Sequence, residues 1–382
     1  MRFRDIIGQD AIKQNLIRTV QENRVSHAQL FLGPEGSGSL ALALAYAQYL
    51  NCLDKQGEDS CGTCTSCRKY SKLIHPDLHF SYPFFAKKKE ETASDYLSDW
   101  RKAFLDNPYL DLDNWREKLN AENKQANINI AECHHIIKAL SLKPFESAYK
   151  VLIMWLPEYL DVQGNVLLKL IEEPPHKTLF LLVATNPEKI LTTILSRTQL
   201  VKIPALTTAH IEQYLQETQQ LEAQQAHQIA YLSDGNVNKV HKLLGTDTNN
   251  HFDLLVRWLR LIVMDSGLDL LDFLDKEIYK IGRENQKSFL TYSINMLREI
   301  LIRKAGAEQL VRLPSSERVF VDKFAGLYAS KQIEQSIDEL EKAYYHIERN
   351  ANPKIIFLDV SLQLILFYKY QTFREKTDSI YI

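Results

Sequence analysis

The chain has 382 residues, of which 45% are hydrophobic and 25% charged, with a net charge of −2. That length calls for two or three cores rather than one, and the balanced charge excludes a global basic field for nucleic acid, so any DNA contact must be local or shared with other chains. The polar start Met1-Arg2-Phe3-Arg4-Asp5 lacks the apolar run of a secretory signal. Residues 355–370 carry Asp359, Ser361, Gln363 and Lys369, which suits a buried helix rather than a membrane span. Five cysteines, four of them close together and without a signal, point to a reducing cytoplasm and a metal site.

Residues 3–24 read as a short leading loop and an amphipathic helix, with Ile12, Leu16, Ile17 and Val20 at helical spacing. An apolar strand at 28–32 follows. Then come Gly33-Pro34-Glu35-Gly36-Ser37-Gly38-Ser39-Leu40 and a helix over 41–50. Strand, glycine-rich turn and helix are the setting of a phosphate-binding loop, G-x-x-x-x-G-K-[ST]. Gly33 and Gly38 keep the spacing, but Ser39 stands in place of the lysine and Leu40 in place of the magnesium-holding hydroxyl. The backbone around Gly33, Gly36 and Gly38 offers a phosphate cradle. With no lysine to balance the charge, the loop is expected to be silent, its glycines preserving the turn, and ATP and ADP are expected not to bind.

Cys52, Cys61, Cys64 and Cys67 follow at C-x8-C-x2-C-x2-C spacing. Four thiolates on a turn-rich segment suit tetrahedral zinc, and four protein ligands leave no open position, so the zinc is expected to be structural. The alternative is a set of reduced surface thiols or a redox pair. Cys133 is expected to be an ordinary half-buried thiol, and His75 and His79 to be structural rather than extra ligands.

Residues 84–127 read as a helical insertion. It holds a solvated charge run from Lys87 to Glu91 and apolar positions at Trp100, Phe104, Leu105, Trp115 and Leu119. A helix over 130–140, strands at 150–156, 179–184 and 200–203, and a helix over 161–172 ending at Pro174-Pro175 complete an alternating pattern. With a short strand at 78–82, this predicts a parallel five-stranded sheet covered on both faces. After Pro204 the pattern is helical throughout: short helices over 207–245 with a break at Asp234-Gly235-Asn236, then longer amphipathic helices such as 252–264 and 333–347, interrupted at Pro314 and Pro353.

Several stretches together resemble the clamp-loader branch of the AAA+ proteins, and within it the delta-prime type. They include Ile7-Gly8-Gln9, Ser26-His27-Ala28-Gln29-Leu30-Phe31 and His75-Pro76-Asp77. Tyr149-Lys150-Val151, Ala184-Thr185-Asn186 and Ile194-Leu195-Ser196-Arg197 continue the series. Leu167-Leu168-Lys169-Leu170-Ile171-Glu172-Glu173-Pro174-Pro175 is the most specific, and Asn350-Ala351-Asn352-Pro353-Lys354 resembles the start of the family's final helix. The resemblance is weakest after about residue 245, and the insertion departs from compact members.

The resemblance implies a degenerate phosphate-loop domain over residues 1–205, a helical lid over 206–246 and a helical collar over 247–382. It implies zinc on the four cysteines. It aligns Trp155-Leu156 with the family's acidic pair, so the metal holder and water activator are missing too, and Asn238 stands where active members place the lid arginine. Thr185 takes the sensor position, where a strand cap is an equal alternative. Arg197 is expected to act in trans as an arginine finger at a neighbouring subunit's ATP, or else to form a surface ion pair. The expected function is a non-catalytic clamp-loader subunit of DNA polymerase III holoenzyme. Its partners would be gamma/tau- and delta-type subunits in a ring, with the sliding clamp and primed DNA reached through the complex and no membrane. An active gamma/tau-type ATPase and a stand-alone zinc-dependent DNA-binding protein are the alternatives; the defective loop opposes the first and the balanced charge the second.

Overall fold

Strand β1 (Ala28–Leu32) lies between β4 (Thr178–Ala184) and β5 (Gln199–Lys202), and β3 (Lys150–Trp155) lies between β4 and β2 (Leu78–Ser81). All pairings are parallel, in the order β2-β3-β4-β1-β5, with Leu30 opposite both Leu182 and Leu200. The structure is a computed structural model that describes residues 1–86, 88–121, 124–244, 251–264, 266–306, 313, 315–349 and 351–370. Strands β3 and β4 are buried along their whole length, as near-continuous apolar runs in a parallel sheet require. β5 is different. It has only β1 as a neighbour, and Gln199, Leu200 and Lys202 face solvent, which corrects the expectation of a fully covered final strand.

Successive side chains alternate between two faces. On one, Phe31, Val151, Ile153 and Leu181 pack against α2 (Ser39–Leu50); on the other, Leu30, Leu152, Phe180 and Leu182 pack against α6 (Ile130–Ser141), Leu167 and Ile171. Every residue of α2 is buried, in keeping with a helix that is apolar all round. The first face also takes α1 (Asp10–Gln21), while α3 (Thr65–Ser71) begins within the cysteine segment. The helix expected over 161–172 is a 3₁₀ segment, Asp161–Leu167, followed by the short α7 (Leu168–Glu172). Gly164 lies within the 3₁₀ segment, where a Cβ would sit 3.2 Å from the side chains of both Leu160 and Leu191, a tight contact that would need those neighbours to shift.

The insertion is pinched at its ends by two backbone hydrogen bonds of 3.1 Å between Phe84 and Asn127. Between them stand α4 (Leu97–Asp106) and α5 (Leu112–Lys118). Trp100, Phe104 and Trp115 are buried in the same core as α2, whereas Leu105 is exposed. Lys87 of the charge run lies outside the described residues. Cys133 is fully buried rather than half-buried, because it faces the sheet from α6.

After β4 and α8 (Thr192–Leu195), no strand other than β5 occurs among the described residues. Helices α9 (Thr208–Gln219), α10 (Ala223–Ser233), α11 (Val237–Leu244), α12 (His251–Met264), α13 (Gly267–Phe273), α14 (Arg283–Lys304), α15 (Ser315–Leu327), α16 (Ser330–Glu348) and α17 (Pro353–Tyr368) complete the chain. This is a parallel α/β domain followed by helices. The chain forms two compact units, Met1–Leu221 with Ser233–Lys239, and Glu222–Leu232 with Val240–Ile382. In the second, the Trp258 indole donates to the Ser361 hydroxyl (2.9 Å) and packs on Phe289 and Phe357. Pro353 opens α17, and the Asn352 side chain accepts from the Lys354 N–H (3.0 Å) as its cap. Pro314 and Asn350 lie outside the described residues. Among those described, no helix is long and apolar enough to cross a membrane.

Candidate functional site

The glycine-rich loop leaves β1 through Gly33, whose N–H donates to Ala184 O (3.2 Å), and turns into α2. Gly36 and Gly38 have φ of +71° and +88°, a region that side chains rarely adopt. Both are covered by protein. A Cβ at Gly36 would fall 2.1 Å from Asn236 Oδ1, and one at Gly38 would fall 3.0 Å from the Tyr109 ring. Ser37 is fully buried, its hydroxyl 3.0 Å from that of Ser39. The Gln9 side-chain amide donates to both Ser37 O (3.2 Å) and Pro204 O (2.8 Å). Thus the lysine position holds a buried neutral hydroxyl, and Leu40 belongs to the core. The cleft above the loop is narrow, keeping about 30 Å³, and Pro108, Tyr109 and Asp111 of the insertion line it together with Trp155 and Thr185.

At the end of β3, Trp155 is buried against Trp100 of the insertion, and Leu156 (φ +54°) donates its N–H to Val183 O (2.8 Å). Neither residue offers a carboxylate. The nearest acid, Glu158, caps the end of β4 instead: its Oε1 accepts from the Thr185 N–H (2.6 Å), the Thr185 hydroxyl (3.2 Å) and the Asn186 N–H (2.8 Å). Thr185 is therefore a hydrogen-bonded strand end.

One set of residues at this site is absent from the sequence reading. The turn at 107–111, between α4 and α5, closes over the loop. The Ile7 N–H donates to the Tyr109 hydroxyl (2.9 Å), and burial raises that phenol to about 12. The Asn107 amide donates to Asn238 Oδ1 (2.6 Å), and the Asn238 amide returns a bond to Tyr109 O. Asn107-Pro108 is a turn signal in sequence, yet nothing in its spacing links it to a loop some seventy residues earlier.

The four cysteines do converge. Their sulfurs lie within 4.8 Å of one another, among buried or half-buried residues, spaced to bind one metal ion. Backbone N–H groups aim at the sulfurs: Cys61 at Cys52 (3.3 Å), Thr63 and Cys64 at Cys61 (3.4 and 3.3 Å), and Cys67 at Cys64 (3.4 Å). Such bonds favour thiolate. Burial raises the Cys61 thiol, but the Cys64 and Thr63 N–H groups outweigh it and bring Cys61 down to about 6. Gly62 (φ +76°) makes the turn between ligands. His75 and His79 are not in the cluster. The His75 Nδ1 accepts from the Asp77 N–H (3.1 Å), its ring packing on Tyr70; burial holds His79 neutral, its pKa lowered to about 4.

Arg197 follows α8 and is partly exposed. Its guanidinium pairs with the Glu172 carboxylate and donates to Thr193 O (2.8 Å).

Residues 8–207 match the family model described as DNA polymerase III, delta subunit. The chain is 25% identical over 260 residues to DNA polymerase III subunit tau of Bacillus subtilis (strain 168), covering 66% of this chain and 39% of that one. It is 28% identical over 210 residues to DNA polymerase III subunit delta' of the same organism, covering 55% and 51%. The chain thus spans about half or less of the length of these curated relatives. A solved structure of a DNA polymerase III gamma subunit-related protein from Thermotoga maritima overlays with a TM-score of 0.40 at 14% identity, covering 92% of this chain and 98% of that one. The matched region takes in all five strands and the glycine-rich loop, and the chain belongs to the DNA polymerase III delta subunit family.

Proposed function

We propose that this chain is a non-catalytic clamp-loader subunit of the delta-prime type in a cytoplasmic DNA polymerase III holoenzyme. Its partners would be gamma/tau- and delta-type subunits in a hetero-oligomeric ring that places the sliding clamp on primed DNA. The observation that carries the reading is a family-matched phosphate loop whose lysine and hydroxyl positions are the buried Ser39 and Leu40. Phosphoryl transfer needs positive charge and magnesium around the phosphates. With Trp155 and Leu156 at the strand end, no group here supplies them. The same absences count against a motor role of the kind the resemblance to tau would otherwise suggest.

Residues 206–246 would serve as lid and 247–382 as collar. The four cysteines would hold structural zinc, since an all-thiolate tetrahedral set suits that ion and closes its shell. Arg197 would serve a neighbour's ATP by exchanging Glu172 for phosphate charge; its partly exposed position at the end of α8 supports this. Size-exclusion chromatography with gamma/tau- and delta-type subunits and the clamp tests the assignment. Co-elution with the subunits is expected, and separate elution at micromolar concentration removes it. Calorimetry with ADP should give no heat of binding in the isolated chain.

A further inference from the structure

We infer that the 107–111 turn is a built-in clasp that stands where a nucleotide would, with Tyr109 tying three separate segments into one fixed arrangement. The inference deepens the reading of the loop as silent and rests on it.

The three segments are distant in sequence, and each leads into the start of a helix: α1, α2 and α11. The first is the leading segment around Ile7, whose N–H is satisfied by the Tyr109 hydroxyl at 2.9 Å. The second is the glycine-rich loop, where the Tyr109 ring occupies the space a Cβ on Gly38 would need, 3.0 Å from that position. The third is the start of α11 at 236–238, where Asn238 exchanges two hydrogen bonds with Asn107 and Tyr109 O. Asn236 closes the circle: its carboxamide oxygen fills the space beside Gly36 and accepts from the Asn238 N–H (2.8 Å), while the Val237 N–H donates to Gly36 O (3.3 Å).

The clasp is held from behind. The Asn107 carboxamide oxygen fixes the turn by accepting from the Tyr109 N–H (3.0 Å), and Asp111 caps α5 by accepting from the Asn114 N–H (2.7 Å). Trp100, Phe104 and Trp115 anchor α4 and α5 in the core. A diffusible ligand loses translational and rotational freedom each time it binds. A side chain on an anchored turn carries no such cost, so these segments keep their arrangement whatever the nucleotide concentration. That is the property a rigid, non-cycling member of a ring needs.

Hydrogen–deuterium exchange of the full chain, without nucleotide or partners, tests the clasp. Tyr109→Ala should speed exchange by roughly tenfold or more in segments 6–9, 36–40 and 236–239 while leaving β3, β4 and the cysteine segment at wild-type rates. Wild-type rates in those three segments overturn the inference. If Tyr109→Ala also exposes β3 and β4, the fold is lost and two milder variants decide. Tyr109→Phe should release the Ile7 amide and Asn107→Ala the 236–239 amides. Wild-type exchange in both overturns the clasp. Because loader subunits take no part in the measurement, a failure to assemble with them and a failure of the clasp are read separately.

Discussion

The Trp155 indole lies 5.1 Å from that of Trp100, which in turn stacks on Tyr82 at 4.1 Å and meets the edge of Trp115 at 5.4 Å. The residue at the end of β3 is therefore the floor on which the insertion sits. Trp155→Asp would restore an acid in name only. It removes a large buried ring, at about 3–5 kcal/mol, and places a carboxylate where no cation waits. Urea denaturation should show a clearly lower midpoint than wild type with no gain of ATPase activity. A loss below about 1 kcal/mol would mean that the insertion does not lean on this ring.

The cysteine cluster predicts metal stoichiometry. Elemental analysis of the purified chain should find about one zinc per chain, as a closed four-thiolate site holds one ion. Cys67→Ser should abolish it and lower Tm, because the ligands come from both sides of the turn at Gly62 and metal binding there is part of folding. A chelator should lower the Tm of wild type but not of the variant. Full zinc retention by Cys67→Ser would rule out the proposed ligand set.

Arg197→Ala should leave the isolated chain folded. Its ion pair with Glu172 is partly solvent-exposed, and such pairs contribute about 1 kcal/mol or less. In the reconstituted loader, the ATP site that this arginine faces should slow by about a thousandfold, while subunit assembly is retained. An unchanged single-turnover rate at every site would falsify the finger.

Asp77 links the start of β2 to the loop before β3. Its carboxylate accepts from the N–H groups of Phe145 (2.6 Å), Glu146 (2.9 Å) and Ser147 (2.9 Å) and from the Ser147 hydroxyl (2.9 Å). Burial pushes its pKa up, but these bonds to the charged form prevail and hold it below the usual range. Since the folded pKa is depressed, the stabilisation is complete above the unfolded value near ~3.9 and is lost as pH falls through the folded one. Asp77→Ala should cost about 3 kcal/mol or more at neutral pH, and the gap in Tm from wild type should narrow below about pH 4. A gap equal at pH 7 and pH 3 would point to packing rather than charge.

Much of the molecule follows from local pattern. The apolar runs at β1, β3 and β4 are long enough to specify buried parallel strands, and the helices between them cover both faces. The glycine spacing marks a phosphate-type turn, and the cysteine spacing marks a cluster, because these features depend on neighbours a few residues apart. The apolar content of residues 200–203 says nothing of being at an edge, which depends on which strands pair. Residues 161–167 form 3₁₀ rather than the expected α-helix, and Gly164 within them packs close to Leu191, which comes from a later segment. The tryptophans at 100 and 115 promised burial without saying where. Their place beside Trp155, and that of Tyr109 over Gly38, arise from packing between segments tens of residues apart. The sequence by itself determined the strands, the glycine-rich loop without its lysine and the thiol cluster. Only tertiary structure decided that the insertion fills the loop's own cleft, because long-range burial and hydrogen bonding are properties of the fold and not of any local stretch of chain.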